Sequence, residues 1–225
     1  MFTGPNISTD GLVLSLDAAN SRSYPGSGTT WTDLSGNGNN GTLTNGPTFN
    51  SANGGSIVFD GADDYCFMTG FSTANFMTLC CWFRTSVQQN NRYVVAFGAN
   101  IGTGNNGFDL TFQDTQIGSY IATTGAGSGA NLYTTSYYDN QWHNLVTSYD
   151  GSAARTYYDG VLVATRSGMS GNLNIEATKR LNIGSWVNNG ANANCRISSV
   201  IIYNRAITAT EVLQNYNSQK SRFNL

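Results

Sequence analysis

Oxygen-bearing side chains recur at alternate positions in Asp33-Leu34-Ser35-Gly36-Asn37-Gly38. A D-x-S-x-N-G run copies the first six positions of a calcium-binding loop. The alternation puts the oxygens on one side, and Gly38 permits a sharp turn. The bidentate Glu of such a loop is replaced by Thr44 at the twelfth position, so a second segment has to complete a calcium site. Asp60, Asp63 and Asp64 are the expected donors, with Asp63 and Asp64 foremost. Calcium is the one cofactor suggested; the alternative is a metal-free loop tied by Asx-type hydrogen bonds.

Catalytic chemistry has little material to work with. Retaining glycoside hydrolysis wants two carboxyl groups about 5–5.5 Å apart. The only glutamates are Glu176, in a polar connection, and Glu211, placed to cap a helix. Asp63 with Asp64 is the fallback pair, but adjacent aspartates in a Gly-containing turn commonly bond backbone N–H groups instead. His143 is the single histidine, so any Ser-His or Cys-His arrangement must use it. These residues read as a non-enzyme. A binding role has better material: Trp31, Tyr137, Tyr138 and Trp186 lie in polar, weakly charged loops and could offer rings to a glycan. Trp31 could equally plug a sandwich end, and Trp82 and Trp142 read as core.

The bulk properties narrow the partners. Charged residues make up 11% of the 225, against about 25% in ordinary soluble proteins. The net charge is −2 and there are only two lysines, Lys179 and Lys220, so no basic stripe for nucleic acid exists. No run approaches the roughly 20 apolar residues of a membrane span. MFTGPNISTDG has neither the basic nor the apolar region of a signal peptide. Cys80 and Cys81 are adjacent in a strand and face opposite ways, so with Cys66 and Cys195 they are expected as buried thiols.

Strands must position these groups. GLVLSLD (11–17) alternates Leu12, Leu14 and Leu16; FMTLCCWFR (76–84) puts Met77, Leu79, Cys81 and Phe83 on one face. GFDLTFQ (107–113) sends Phe108, Leu110 and Phe112 inward and Asp109, Thr111 and Gln113 outward. WHNLVTSYDGSAARTYYDG (142–160) reads as two adjacent hairpins, with Asp159-Gly160 supplying positive φ. Many short strands with turn signals between them indicate an all-β sandwich or jelly roll in a single domain, 1–225. Loops are expected over about 20–55 and 98–107. One short helix follows the Thr208–Glu211 capping box, with Val212, Leu213 and Tyr216 as its apolar stripe. The tail, 218–225, has two large groups, Arg222 and Phe223. It is expected to attach to the sandwich near the N-terminal strand or to a neighbouring subunit, with Phe223 as anchor.

Four motifs, in order along almost the whole chain, resemble the laminin-G-like domains of the concanavalin A-like lectin/glucanase superfamily. They are WTDLSGNGNNGTL (31–43), SIVFDGADDY (56–65), the WHNLVTSYDGS…YYDG stretch, and LNIGSW (181–186) with ISSVIIYNRAITATEVLQNYN (197–217). The resemblance implies a concanavalin A-like jelly-roll β-sandwich. Secreted relatives carry an acidic pair where Ser198 and Ser199 stand here, which removes those carboxylates from any site that uses them. The NYNSQKSRF ending and the Asn/Gly/Thr-rich style resemble phage virion versions. That resemblance implies a non-enzymatic virion structural protein, a capsid decoration or cement or a tail-associated surface protein. Made in the host cytoplasm, it would sit on the virion surface. Its partners would be other virion proteins, further copies of itself or host-surface glycans. A bacterial lectin-like adhesion module is the alternative, and a glycoside hydrolase the distant one.

Overall fold

The computed structural model describes residues 6–71, 74–98, 107–175, 180–186 and 190–225. Among these, sixteen strands form two antiparallel sheets of eight. In chain order they are β1 (Leu12–Asp17), β2 (Thr30–Trp31), β3 (Gly41–Thr44), β4 (Thr48–Asn50), β5 (Ser56–Asp60), β6 (Tyr65–Met68), β7 (Met77–Arg84) and β8 (Gln89–Phe97). Then follow β9 (Phe108–Asp114), β10 (Gln116–Ile121), β11 (Gly129–Thr134), β12 (Trp142–Tyr149), β13 (Ala154–Tyr158), β14 (Val161–Arg166), β15 (Leu181–Ile183) and β16 (Asn194–Tyr203). The first sheet runs β14-β13-β12-β7-β16-β5-β4, with β1 also on β16; the second runs β11-β10-β9-β8-β15-β6-β3-β2. This is the expected concanavalin A-like sandwich.

Alternation sets which side chains meet between the sheets. Met77, Leu79, Cys81 and Phe83 of β7 and Phe108, Leu110 and Phe112 of β9 all enter the main core. Cys81 lies in that core while Cys80 joins a second cluster on the other side of the sheet, and all four cysteines are buried free thiols. The two hairpins form as read: β12 pairs β13, β13 pairs β14, and Asp159 (φ 51°) with Gly160 (φ 80°) makes the second turn. Less local is the Gly61–Asp64 connection, which turns the corner between sheets rather than joining a hairpin, since β5 pairs β16 and β6 pairs β15. The stretch expected as a loop over 20–55 carries β2, β3 and β4. Strands this short show no alternation to read. The 98–107 loop lies largely outside the described residues, as do Glu176 and Lys179.

The outer faces of the sheets differ, and that difference positions the candidate site. The C-terminal segment packs over the part of the first sheet that carries Cys80, Trp82, Trp142 and Val146. Helix α1 (Ala209–Gln219) starts on Thr208, whose side chain accepts from the Glu211 N–H in a capping box. Glu211 also pairs with Arg205. The buried face of α1 is Val212, Asn215 and Gln219; Leu213 is exposed, so the expected stripe is displaced by polar residues. Asn215 can be buried because its Nδ2 donates to the Tyr203 hydroxyl at 2.9 Å and its Oδ1 accepts from Ser8 N–H at 2.8 Å. A 3₁₀ turn, Lys220–Phe223, then seats Phe223 between Trp82 and Trp142, with ring centroids 4.4 and 4.7 Å away.

Candidate functional site

The second sheet keeps its outer face partly open. Because Phe108, Leu110 and Phe112 point inward, β9 sends Asp109 and Thr111 outward. Tyr93 of β8 lies opposite Thr111, and Ala96 opposite Asp109. Across β15, Asn182 pairs with Ala96 on one side and with Phe67 of β6 on the other. One continuous surface thus gathers Phe67, Asn182, Tyr93 and Asp109 from four strands, with Tyr120 of β10 beside them.

Ring faces and polar groups alternate on it. Trp186 stacks on Tyr93 at 5.6 Å and 15°, and both are half-buried. The Arg180 guanidinium lies over Phe67 at 4.6 Å and Tyr65 at 5.7 Å. Its Nε donates to Asn182 Oδ1 at 2.7 Å, and Asn182 Nδ2 donates to the Trp186 carbonyl at 2.6 Å. Asn182 therefore ties the guanidinium to the Trp186 backbone, so the stacked groups keep fixed positions.

Asp109 is the electrostatic centre. It is 4% exposed, and its Oδ1 accepts from Tyr120 N–H at 2.8 Å. Burial pushes its pKa up to about 7, against the lowering effect of that one hydrogen bond. Tyr93 is pushed up to about 12, first by burial and then by the charges of Asp109 and Tyr120. A carboxyl whose folded pKa is raised holds its proton more tightly in the folded state, so stability falls as pH rises from about 4 to about 7. Asp109→Asn keeps an acceptor for Tyr120 N–H and removes the titration. The variant should gain on wild type across that window, by at most about 4 kcal/mol, and the gain should level off above it. Urea unfolding from pH 4 to 8 checks this; a variant curve parallel to wild type would refute it.

The structure redistributes the residues expected from sequence. Trp186 sits on the open face, but Trp31 and Tyr137 are 0% exposed in the main core, so neither offers a ring to a ligand. Trp31 belongs to the short β2, and Tyr137 stacks on Phe112 at 4.7 Å. Tyr138 is half-buried and packs edge-on against Tyr137, beside the main core. His143 is held by Asp159 at 2.8 Å and Asp139 at 3.1 Å; burial lowers its pKa, but the two carboxylates outweigh it and raise the value. Ser198 is buried and donates to the Gly55 carbonyl at 2.9 Å.

The expected calcium loop is a hydrogen-bonded edge cover. Asp33 Oδ1 accepts from Ser15 and Ser35 N–H, both at 2.9 Å, and Oδ2 accepts from Ser35 Oγ at 2.7 Å and Asn39 N–H at 3.0 Å. Asn37 Nδ2 donates to the Leu12 carbonyl at 3.2 Å, and Asn39 Nδ2 to the Val13 carbonyl at 2.8 Å. The loop therefore occupies the edge of β1 that faces away from β16, where an uncovered strand would invite pairing. Asp33 bonds β1 through the Ser15 N–H and the loop itself through Ser35 and Asn39. Asp63 and Asp64 group with Asp60 instead, with oxygens within 4.8 Å of one another, and Asp33 is not among them. Burial raises the Asp64 pKa, and the charges of Asp60 and Asp63 add to it, opposed by the hydrogen bond from Asp60 N–H.

Arg222 and Phe223 attach the tail to its own sandwich. Arg222 makes a bidentate pair with Asp17 of β1 at 2.7 and 2.9 Å, and Phe223 is buried. Neither is free to anchor a neighbour in this conformation. Sequence reasoning missed Tyr93, Tyr120, Phe67 and Arg180 as site residues. Beside Trp186, only Asp109 carried a signal, a carboxylate placed outward on an alternating strand.

The family described as the concanavalin A-like lectin/glucanases superfamily matches residues 60–213, and the chain belongs to it. Solved structures agree in fold. The receptor binding domain of botulinum neurotoxin C/D mosaic serotype aligns with a TM-score of 0.72 and 13% identity, over 94% of this chain and 52% of that one. The binding domain of botulinum neurotoxin DC, in complex with SialylT, gives 0.68 and 12%, over 94% and 52%. A Trypanosoma rangeli sialidase, in complex with the inhibitor DANA, gives 0.69 and 14%, over 96% of this chain and 34% of that one. The chain thus spans about half the length of the toxin binding domains. A comparison with curated proteins found no match.

Proposed function

We propose that this protein is a non-enzymatic carbohydrate-binding domain whose binding face is the outer surface of the second sheet. The observation that carries this is the Tyr93–Trp186 stack standing beside Asp109. Sugars present apolar C–H faces to aromatic rings and hydroxyls to phenol and guanidinium groups; the half-buried Tyr93, Tyr120, Arg180 and Trp186 supply both, with Asp109 and Asn182 buried beneath them. The pKa of Asp109 is set by burial and one backbone hydrogen bond, with no second carboxylate contributing. Most glycosidases work with a carboxyl pair, so a single buried carboxyl favours binding over hydrolysis. Trp186→Ala and Tyr93→Ala should each weaken glycan binding roughly tenfold or more. A glycan array followed by calorimetry on the strongest hit tests this. Unchanged affinity in both variants would move the site elsewhere, and release of reducing sugar would overturn the non-enzymatic reading.

The setting we infer is the surface of a phage particle, as a decoration or tail-associated protein with other virion proteins or copies of itself as partners. The support is the Asn/Gly/Thr-rich style and the family-like C-terminal motif. Antibody labelling of purified particles checks it; unlabelled particles would favour a bacterial lectin-like adhesion module.

A further inference from the structure

On the opposite sheet, β16 lies between β5 and β7, and Arg196 faces Val58 on one side and Arg84 on the other. Both arginines point outward, because Cys195, Ile197 and Phe83 enter the core. Like charges directly opposite across a strand pair are destabilising. Nothing among the described residues relieves this pair: neither arginine takes part in an ion pair. Asp60 stands diagonal to Arg196, but it belongs to the Asp60–Asp63–Asp64 group and its Oδ1 accepts from Ala62 N–H at 2.7 Å. Arg84 Nε donates to Asn140 Oδ1 at 3.0 Å, which fixes the guanidinium and leaves its terminal nitrogens available.

The two guanidiniums border a surface cavity of about 170 Å³ that Thr85, Ser86, Asn140 and Asn194 complete. Thr85 Oγ1 and Asn194 Nδ2 already donate to the Asn194 and Asp60 carbonyls, both at 2.8 Å, so the guanidiniums supply the rim's free donors. Two guanidinium forks without an acidic partner at one cavity match the planar or tetrahedral geometry of an oxyanion.

We propose that the Arg84–Arg196 pair is a binding site for a carboxylate or sulfate group. The anion bridges the two guanidiniums and supplies the negative charge the sheet lacks. This site is on the opposite sheet from the Tyr93–Trp186 face, so it stands or falls independently of the carbohydrate reading there.

The test is a titration of the full chain at constant ionic strength, read by amide shifts and by Tm. The probes are sodium sulfate, acetate, glucuronate and uncharged glucose. Sulfate should shift the Thr85, Asn140 and Asn194 resonances, and Arg84→Gln or Arg196→Gln should weaken that binding about tenfold or more. Without anion, Arg196→Gln should raise Tm by about 1 to 3 °C, because the like-charge contact is gone. This readout also shows that the variant folds. Glucuronate binding well above acetate identifies an acidic sugar as the source, and equal binding identifies the free anion. Sulfate shifts that are absent from wild type, or equal in wild type and both variants, overturn the proposal. Glycan binding lost in Trp186→Ala but retained in Arg196→Gln keeps the two sites separate.

Discussion

Phe223→Ala is expected to destabilise the protein by about 3–5 kcal/mol, the range for removing a buried aromatic ring from a core. At about 2–4 °C per kcal/mol for a chain of this size, Tm should fall by roughly 10 °C. The ring fills the space between Trp82 and Trp142, and Tyr216 stacks on Trp82 at 5.4 Å, so its loss opens water access to both indoles. Trp142 Nε1 donates to Asn53 Oδ1 at 3.2 Å, and Asn53 Nδ2 in turn donates to the Arg222 carbonyl, so the tail backbone loosens with the ring. Tryptophan emission should shift to the red. Arg222→Ala should cost less, about 1 kcal/mol, because its pair with Asp17 is partly exposed. A thermal melt and an emission spectrum decide the matter. If Tm and emission match wild type in Phe223→Ala, the tail is not docked in solution and returns as a candidate intermolecular anchor.

Asp33→Ala should be similarly costly, about 3–5 kcal/mol. The carboxylate takes four donors at an 8%-exposed position, and its removal strands the Ser15 and Asn39 N–H groups at the edge of β1. Asp33→Asn retains one acceptor oxygen and should lose roughly half as much. A chelator should leave the wild-type Tm unchanged, since the Asp33 oxygens already accept from four donors. A chelator-induced fall in Tm that disappears in Asp33→Ala would restore the calcium reading.

Local signals in the chain specified local structure. Period-2 alternation put Phe108, Leu110 and Phe112 inside and Asp109 outside, because side chains along a strand point to opposite faces whatever the strand packs on. The Thr208–Glu211 box fixed the helix start, and Asp159-Gly160 fixed a turn, because both act through backbone groups a few residues apart. The four ordered motifs carried the fold. What the sequence left open was every question answered by a distant partner. Trp31 and Trp186 carry the same local signal, a ring in a polar stretch, yet one is core and the other stands on the open face. The D-x-S-x-N-G run fits an ion or a strand edge equally well, and the fold lays it along the edge of β1. Tyr93, Asp109, Tyr120 and Arg180 meet only through the order β10-β9-β8-β15 and its register. Arg84 and Arg196 are 112 positions apart in the chain and face each other for the same reason. Strand order is set by non-local hydrogen bonding and by the burial of whole faces, which no window along the chain contains.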